Sequence, residues 1–175
     1  GMIDVAKKSY KDIDFSKLDM RDVKSKFSNK KFKYIFCMGN TLVHLKDAKE
    51  IETFLKDAKS LLTDDGVFIL QILNYQKIMS QNIKDLPLIE NENIKFEREY
   101  KDNKDGTISF DTRLTIKNED DKVINNSVKL YPLKHSEILD ITKSLNFKQV
   151  EFYANFIKDK FDISDSLPLI AVFTP

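Results

Sequence analysis

Residues 32–45 read Phe-Lys-Tyr-Ile-Phe-Cys-Met-Gly-Asn-Thr-Leu-Val-His-Leu, and their reading decides the fold. An apolar run stops at Gly39, opens into a small polar cluster and leads toward a helix. In an open α/β sheet, ligands bind outside the carboxyl ends of the strands. A buried strand over 32–38 that ends in Gly-Asn-Thr is therefore expected to form one wall of a site.

The next elements extend this reading. Asp47 is placed to cap a helix over 48–62, where Ala48, Ile51, Leu55, Ala58 and Leu62 recur at helical spacing. Asp64-Asp65-Gly66 reads as a turn. The run Val67 to Leu73 is almost continuously apolar, as in strands covered on both faces. Strand, helix and strand of these lengths make a βαβ unit with a right-handed crossover.

Working outward, 2–9 reads as a short helix, Ile13 to Leu18 as a strand and Val23 to Phe27 as a helical turn or two. Residues 76–84 are expected to be helical, and 85–93 a polar loop around Pro87. Three segments then alternate at period two: Ile94 to Tyr100, Ile108 to Ile116 and Ile124 to Leu130. Asp105-Gly106 and Asn118-Glu119-Asp120 supply turn chemistry between them. This predicts an antiparallel meander set into a parallel sheet. A helix over 134–145, strands at 150–154 and 169–173, and a loop at 155–168 complete one α/β domain over 1–175.

Composition bounds the function. The 175 residues carry 29 basic and 28 acidic side chains, a net charge of +1. That balance leaves no electrostatic footprint for a nucleic acid. The single cysteine, Cys37, excludes an internal disulfide and suggests a reducing, cytoplasmic compartment. With only His44 and His135 beside it, the usual structural zinc sites cannot be built. No apolar stretch reaches the ~18 residues of a membrane helix, and no membrane partner is expected.

Three segments, Leu18-Asp19-Met20-Arg21, Phe36 to Leu45, and Leu61 to Tyr75, together resemble the class I S-adenosylmethionine-dependent methyltransferases. The similarity is to the small-molecule branch that includes glycine and sarcosine N-methyltransferases. It implies a Rossmann-like sheet of family order 3-2-1-4-5-7-6, S-adenosylmethionine as cofactor and methyl transfer to a small-molecule acceptor. By this resemblance Asp19 accepts a hydrogen bond from the adenine amino group and Met20 meets the ring. Asp19 can equally be the cap of the following helix. Cys37, Met38 and Gly39 would line the methyl-donor end, while Asn40 and Thr41 face the substrate. His44, four residues beyond Asn40, would share its side of a helical turn and could accept a proton. Its other reading is a helix residue without chemistry, and Cys37 also reads as a small core residue.

Asn74-Tyr75 matches an Asn-Tyr pair of the glycine N-methyltransferase pattern, with Tyr75 grouped with Asn40 and His44 as catalytic candidates. Leu73 stands where that pattern has a carboxylate-binding arginine. Arg98 or Arg113, on a substrate lid at about 85–131, could replace it; each is otherwise a surface arginine on a strand.

The four glycines, 1, 39, 66 and 106, lie far apart. The glycine-rich cofactor turn that the resemblance calls for is absent, together with the family's first two strands, so the chain reads as N-terminally truncated. Its 32–38 strand would then have a bare edge, expected to pair with 13–18 or with a second chain as a homodimer. The other reading is a non-catalytic, degenerate methyltransferase module that dimerises or binds a partner.

Overall fold

The computed structural model describes residues 1–118 and 121–175; Glu119 and Asp120 of the expected turn at 118–120 lie outside the described residues. A strand, a helix and a second strand parallel to the first follow one another from residue 32. Strand β1 (Phe32–Cys37) leads through a 3₁₀ turn at Leu42–His44 to a helix, Ala48–Leu61, and then to β2 (Leu62–Leu73), which lies parallel to β1. The Asp47 carboxylate caps the helix by accepting the Glu50 N–H at 2.9 Å, which satisfies one of the orphan donors of its first turn. Ile51, Phe54, Leu55, Ala58 and Leu61 form its buried stripe.

β2 starts five residues before the expected strand. The register passes from Phe32 opposite Leu62 to Tyr34 opposite Val67. Asp64-Asp65-Gly66 is thus a bulge within the strand rather than a turn before it. Gly66 is required there, because a Cβ would stand 2.9 Å from the Thr63 carbonyl oxygen.

Two later strands complete the first sheet, residues Gln149–Tyr153 and Pro168–Thr174. The latter lies antiparallel between β2 and the former. A helix at His135–Ser144 sits beside the Ala48–Leu61 helix. Lys59 Nζ donates to the Leu145 carbonyl at 2.9 Å, and Ser144 Oγ donates to Glu52 at 2.6 Å. Under these two helices the rings of Phe54, Phe68, Phe173 and Phe147 follow one another at 5.3–6.2 Å.

The meander forms three strands at Ile94–Asp102, Ile108–Ile116 and Lys122–Leu130, but it is not set into the first sheet. With a two-residue strand at Ile89–Glu90 it makes a separate antiparallel sheet. Its period-two rows explain this. Tyr100, Ile108 and Leu130 enter the common core, while Glu97, Glu99, Asp111 and Arg113 form a charged row that no central strand could bury. The sheet is tied over the carboxyl end of β1 by the Tyr131 N–H, which donates to the Val43 carbonyl at 2.8 Å.

Residues 13–18 form no strand. Ile13 is 55% exposed, Leu18 is 37% exposed and only Phe15 is half-buried. Asp12, Asp14 and Lys17 leave too narrow an apolar face to hold the segment against a sheet. The expected pairing with β1 is not made, and β1 forms one margin of the first sheet. The helix expected over 76–84 ends at Ser80, before the left-handed Asn82 (φ 51°). Among the described residues no helix is long and apolar enough to cross a membrane.

Candidate functional site

The site is built where β1 stops. Gly39 (φ 70°) and Asn40 (φ 64°) both take left-handed backbone, which turns the chain sharply away from the strand. The end of β2 holds this turn in place. Gln71 accepts the Gly39 N–H on its side-chain oxygen at 2.8 Å, and the Asn40 N–H on its carbonyl at 3.2 Å. In return Asn40 Oδ1 accepts the Leu73 N–H at 3.1 Å. Asn40 Nδ2 donates to the Tyr75 hydroxyl at 2.7 Å. Thr41 Oγ1 donates to the Met38 carbonyl, so its hydroxyl is engaged with the turn itself.

Tyr75 is fully buried and its ring meets Tyr100 edge-on at 6.4 Å. Burial, followed by the neighbouring Tyr100, outweighs the Asn40 contact and raises the Tyr75 hydroxyl above the ordinary phenol range. Such a hydroxyl orients a ligand or a neighbour but does not abstract a proton at neutral pH. Tyr100, which the sequence reading passed over, is raised by burial as well, with the Tyr75 contact and the Arg98 charge opposing. Its place in a buried hydroxyl pair follows from cross-strand packing, which local pattern does not reveal.

Beside the turn runs an apolar groove of about 510 Å³ between the exposed flank of β1 and the segment 18–27. Met20, Cys37, Met38 and Thr41 line it together with Phe36 and Phe54. This brings together four of the residues expected from sequence. The Cys37 thiol is buried, and desolvation pushes it up to about 11 against a weak contact from the Leu42 N–H. It packs as a small core group.

Asp19 caps the 3₁₀ turn Met20–Asp22, accepting the Arg21 N–H at 3.0 Å. The Arg21 guanidinium also grips its carboxylate at 2.8 and 2.6 Å, and this fork holds Asp19 well below the usual carboxylate range. The capping alternative is therefore the one seen.

Other expected residues lie elsewhere. Asn74 is fully buried, and its Nδ2 donates to the carbonyls of Ile163 and Ser166, both at 2.9 Å. Its Oδ1 accepts the Lys77 N–H at 3.2 Å. It pins the 163–167 loop and caps a short helix rather than facing the groove. His44 is exposed, and its imidazole has no hydrogen-bond partner among the described residues. The 3₁₀ turn does not bring it to Asn40, whose side chain points back to Leu73 and Tyr75.

Arg98 and Arg113 border a larger cavity of about 670 Å³ on the charged face of the meander, away from the strand ends. Arg98 donates from Nη2 to the Pro87 carbonyl at 2.6 Å, while its buried Nε has no partner among the described residues. Arg113 is exposed and stands 4.0 Å from Glu97. No cluster of His, Cys, Asp or Glu among the described residues could hold a metal ion.

No family model matches the chain. Over 140 residues it is 26% identical to a glycine/sarcosine N-methyltransferase of Aphanothece halophytica, a match covering 79% of this chain and 49% of that protein. The chain thus spans about half the length of this curated relative. Among solved structures, an S-adenosylmethionine-dependent methyltransferase from Clostridium acetobutylicum superposes with a TM-score of 0.77 at 16% identity. That match covers 98% of this chain and 68% of the other. The amino pentose methyltransferase CalS10 of Micromonospora echinaspora, solved with S-adenosylmethionine bound, gives 0.69 at 10% identity over 99% and 70%.

Proposed function

From its fold, that of the S-adenosylmethionine-dependent methyltransferases, we propose that the chain provides one wall of a cofactor and acceptor site for methyl transfer to a small molecule. The observation that carries this is the Gly39–Asn40 turn at the carboxyl ends of parallel β1 and β2, opening onto the groove lined by Met20, Cys37 and Met38.

The groove suits part of the cofactor. Its apolar lining fits the adenine face and the methylene chain. Its polar complement is missing from these residues. No glycine-rich turn offers backbone amides to the amino-acid end, and Asp19, a carboxylate beside the groove, is already gripped by Arg21. S-adenosylmethionine, when bound, supplies a methyl group on its sulfonium. This chain's residues position and exclude water. Met20 and Met38 cover the apolar faces, and Gly39 leaves the backbone open to close approach. Asn40 and Tyr75, with Tyr100 behind them, hold the turn in shape at the end of the groove, which Thr41 lines. No step is assigned to His44, Asn74, Arg98 or Arg113, which do not line the groove.

The test uses S-adenosylhomocysteine and the methionine methyl signals in NMR spectra of the 175-residue chain. The expected result is a saturable shift of Met20 and Met38, with Met2 and Met79 unmoved. Shifts confined to Met2 or Met79, or none at millimolar ligand, would remove the reading.

A further inference from the structure

The segment 154–167 runs from the Gln149–Tyr153 strand to Pro168, which lies opposite Leu73 at the carboxyl end of β2. Its second half is a comb of main-chain acceptors. The Ile163 and Ser166 carbonyls accept from Asn74 Nδ2, both at 2.9 Å. The Ser164 carbonyl accepts from Gln81 Nε2 at 2.9 Å, and the Asp165 carbonyl from Lys77 Nζ at 2.5 Å. The Leu167 carbonyl accepts the Asn74 N–H at 2.7 Å. Every carbonyl from 163 to 167 thus hangs on residues 74–81, the stretch that contains Tyr75 of the site turn. Ahead of the comb this strap is held by rings. Phe161 stacks on the His135 imidazole, with centroids 5.5 Å apart and planes 24° from parallel. Phe152, on the neighbouring strand, meets the same imidazole at 4.3 Å.

We propose that His135 is a proton-operated latch: its neutral imidazole holds Phe161 and keeps the strap shut on Asn74, and protonation releases it. Three features of its surroundings oppose the charged form. The imidazole is half-buried between rings, and burial lowers its pKa below the ordinary imidazole value. His135 is the first residue of the His135–Ser144 helix, where the macrodipole disfavours a cation. An imidazolium also carries two N–H donors, and the imidazole has no hydrogen-bond partner among the described residues. A ring face attracts a cation, but it does not replace the water those donors would lose.

The charged groups around the latch are engaged elsewhere or point away. On the same helix Glu137 binds the Tyr131 hydroxyl and the Lys134 N–H, while Lys134 and Asp140 are exposed. Glu151 and Tyr153 flank Phe152 and so take the opposite face of their strand. On the strap, Asp159 accepts from Asn155 Nδ2 at 2.6 Å, and Asp162 accepts the Ser164 and Asp165 N–H groups at 2.7 and 3.0 Å. Lys160 is exposed. The shut strap therefore binds the proton less well than the open one. It is fully held above the ordinary imidazole range and opens as the pH falls below it. The latch does not depend on the methyl-transfer reading.

NMR of the 175-residue chain from roughly pH 5 to 8, where imidazole titrates, is the test. The imidazole carbon signal gives the midpoint of His135, and water exchange of the buried Asn74 side-chain amide reports whether the strap is shut. Corrected for the intrinsic rate at each pH, protection of that amide is expected to be level at the upper end. Below the midpoint of the open form it falls by up to about tenfold per pH unit, the limit for one proton. His135→Phe keeps a ring but takes no proton, and its protection is expected to stay level; His135→Leu is expected to be level too. His44→Gln should fall as the unsubstituted chain does. Level protection in the unsubstituted chain while the His135 imidazole titrates overturns the proposal. So does the same fall in His135→Phe or His135→Leu, or its loss in His44→Gln, which would place the proton on the other histidine.

Discussion

Replacing Asn40 tests how the site turn is held. Its side chain makes two bonds, from Nδ2 to the Tyr75 hydroxyl at 2.7 Å and from the Leu73 N–H to Oδ1 at 3.1 Å. At about 0.5–1.5 kcal/mol each, losing both costs about 1–3 kcal/mol. The backbone adds a separate effect. At φ 64° an alanine is strained by about 1 kcal/mol, whereas glycine is not. Asn40→Ala is therefore expected to destabilise by about 2–4 kcal/mol, and Asn40→Gly by about 1 kcal/mol less. Urea unfolding followed by far-ultraviolet circular dichroism measures both. A double-mutant cycle with Tyr75→Phe isolates the amide–hydroxyl bond, with an expected coupling of about 1 kcal/mol. If Asn40→Gly costs as much as Asn40→Ala, the conformational argument fails. If the coupling is zero, the Asn40–Tyr75 bond is not what fixes the turn.

Asn74→Ala removes three side-chain hydrogen bonds from a fully buried position and should cost about 2–4 kcal/mol. Hydrogen exchange should quicken first at 163–167, and unchanged protection there would contradict the pinning role. The Cys37 thiol, pushed up to about 11 by burial, should react with an aromatic disulfide reagent at pH 8 far more slowly than a free thiol, and speed up on adding urea. Prompt labelling of the native chain would contradict that burial. Asp105 is held down to about 2 by Lys129 and then by Thr107. Its folded value lies below the unfolded one, so its stabilisation of the hairpin is complete above the ordinary carboxylate range and is lost as the pH falls toward 2. Carbon NMR should give that midpoint, rising in Lys129→Ala; an unchanged midpoint would reject the ion pair at 2.7 Å.

The elements with a strong local signal were legible. Asp47 and the helical stripe from Ile51 to Leu61 define a helix without any tertiary information, and the period-two rows define the meander strands. Misreadings arose where distant residues decide. Ile13 to Leu18 has a strand's composition but too narrow an apolar face to hold it against a sheet. Gly66 looks like a turn residue, yet its bulge exists because β2 continues back to meet Phe32. The site follows the same division. Gly39 marked the turn by its chemistry, and Met20, Cys37 and Met38 meet in one groove. The attachments that fix the turn come from Gln71, Leu73 and Tyr75, with Tyr100 packed against Tyr75, and these depend on how distant strands align. Asn74 looked like a ligand residue because a polar side chain after a strand suits both a site and a buried latch, and only its two carbonyl partners distinguish them.

The placement of the Pro168–Thr174 strand bears on how this chain comes together in time. It is the neighbour of β2 on the side away from β1, and Leu169, Ala171 and Phe173 within it are fully buried. During synthesis β1, the helix after it and β2 emerge well before this strand does. Until then β2 presents a bare apolar flank, and the core has no floor on that side. Closing the sheet is thus a late, long-range event of the kind that slows folding and leaves intermediates open to aggregation. Removal of the last residues would act on the middle of the sheet rather than on a fraying end.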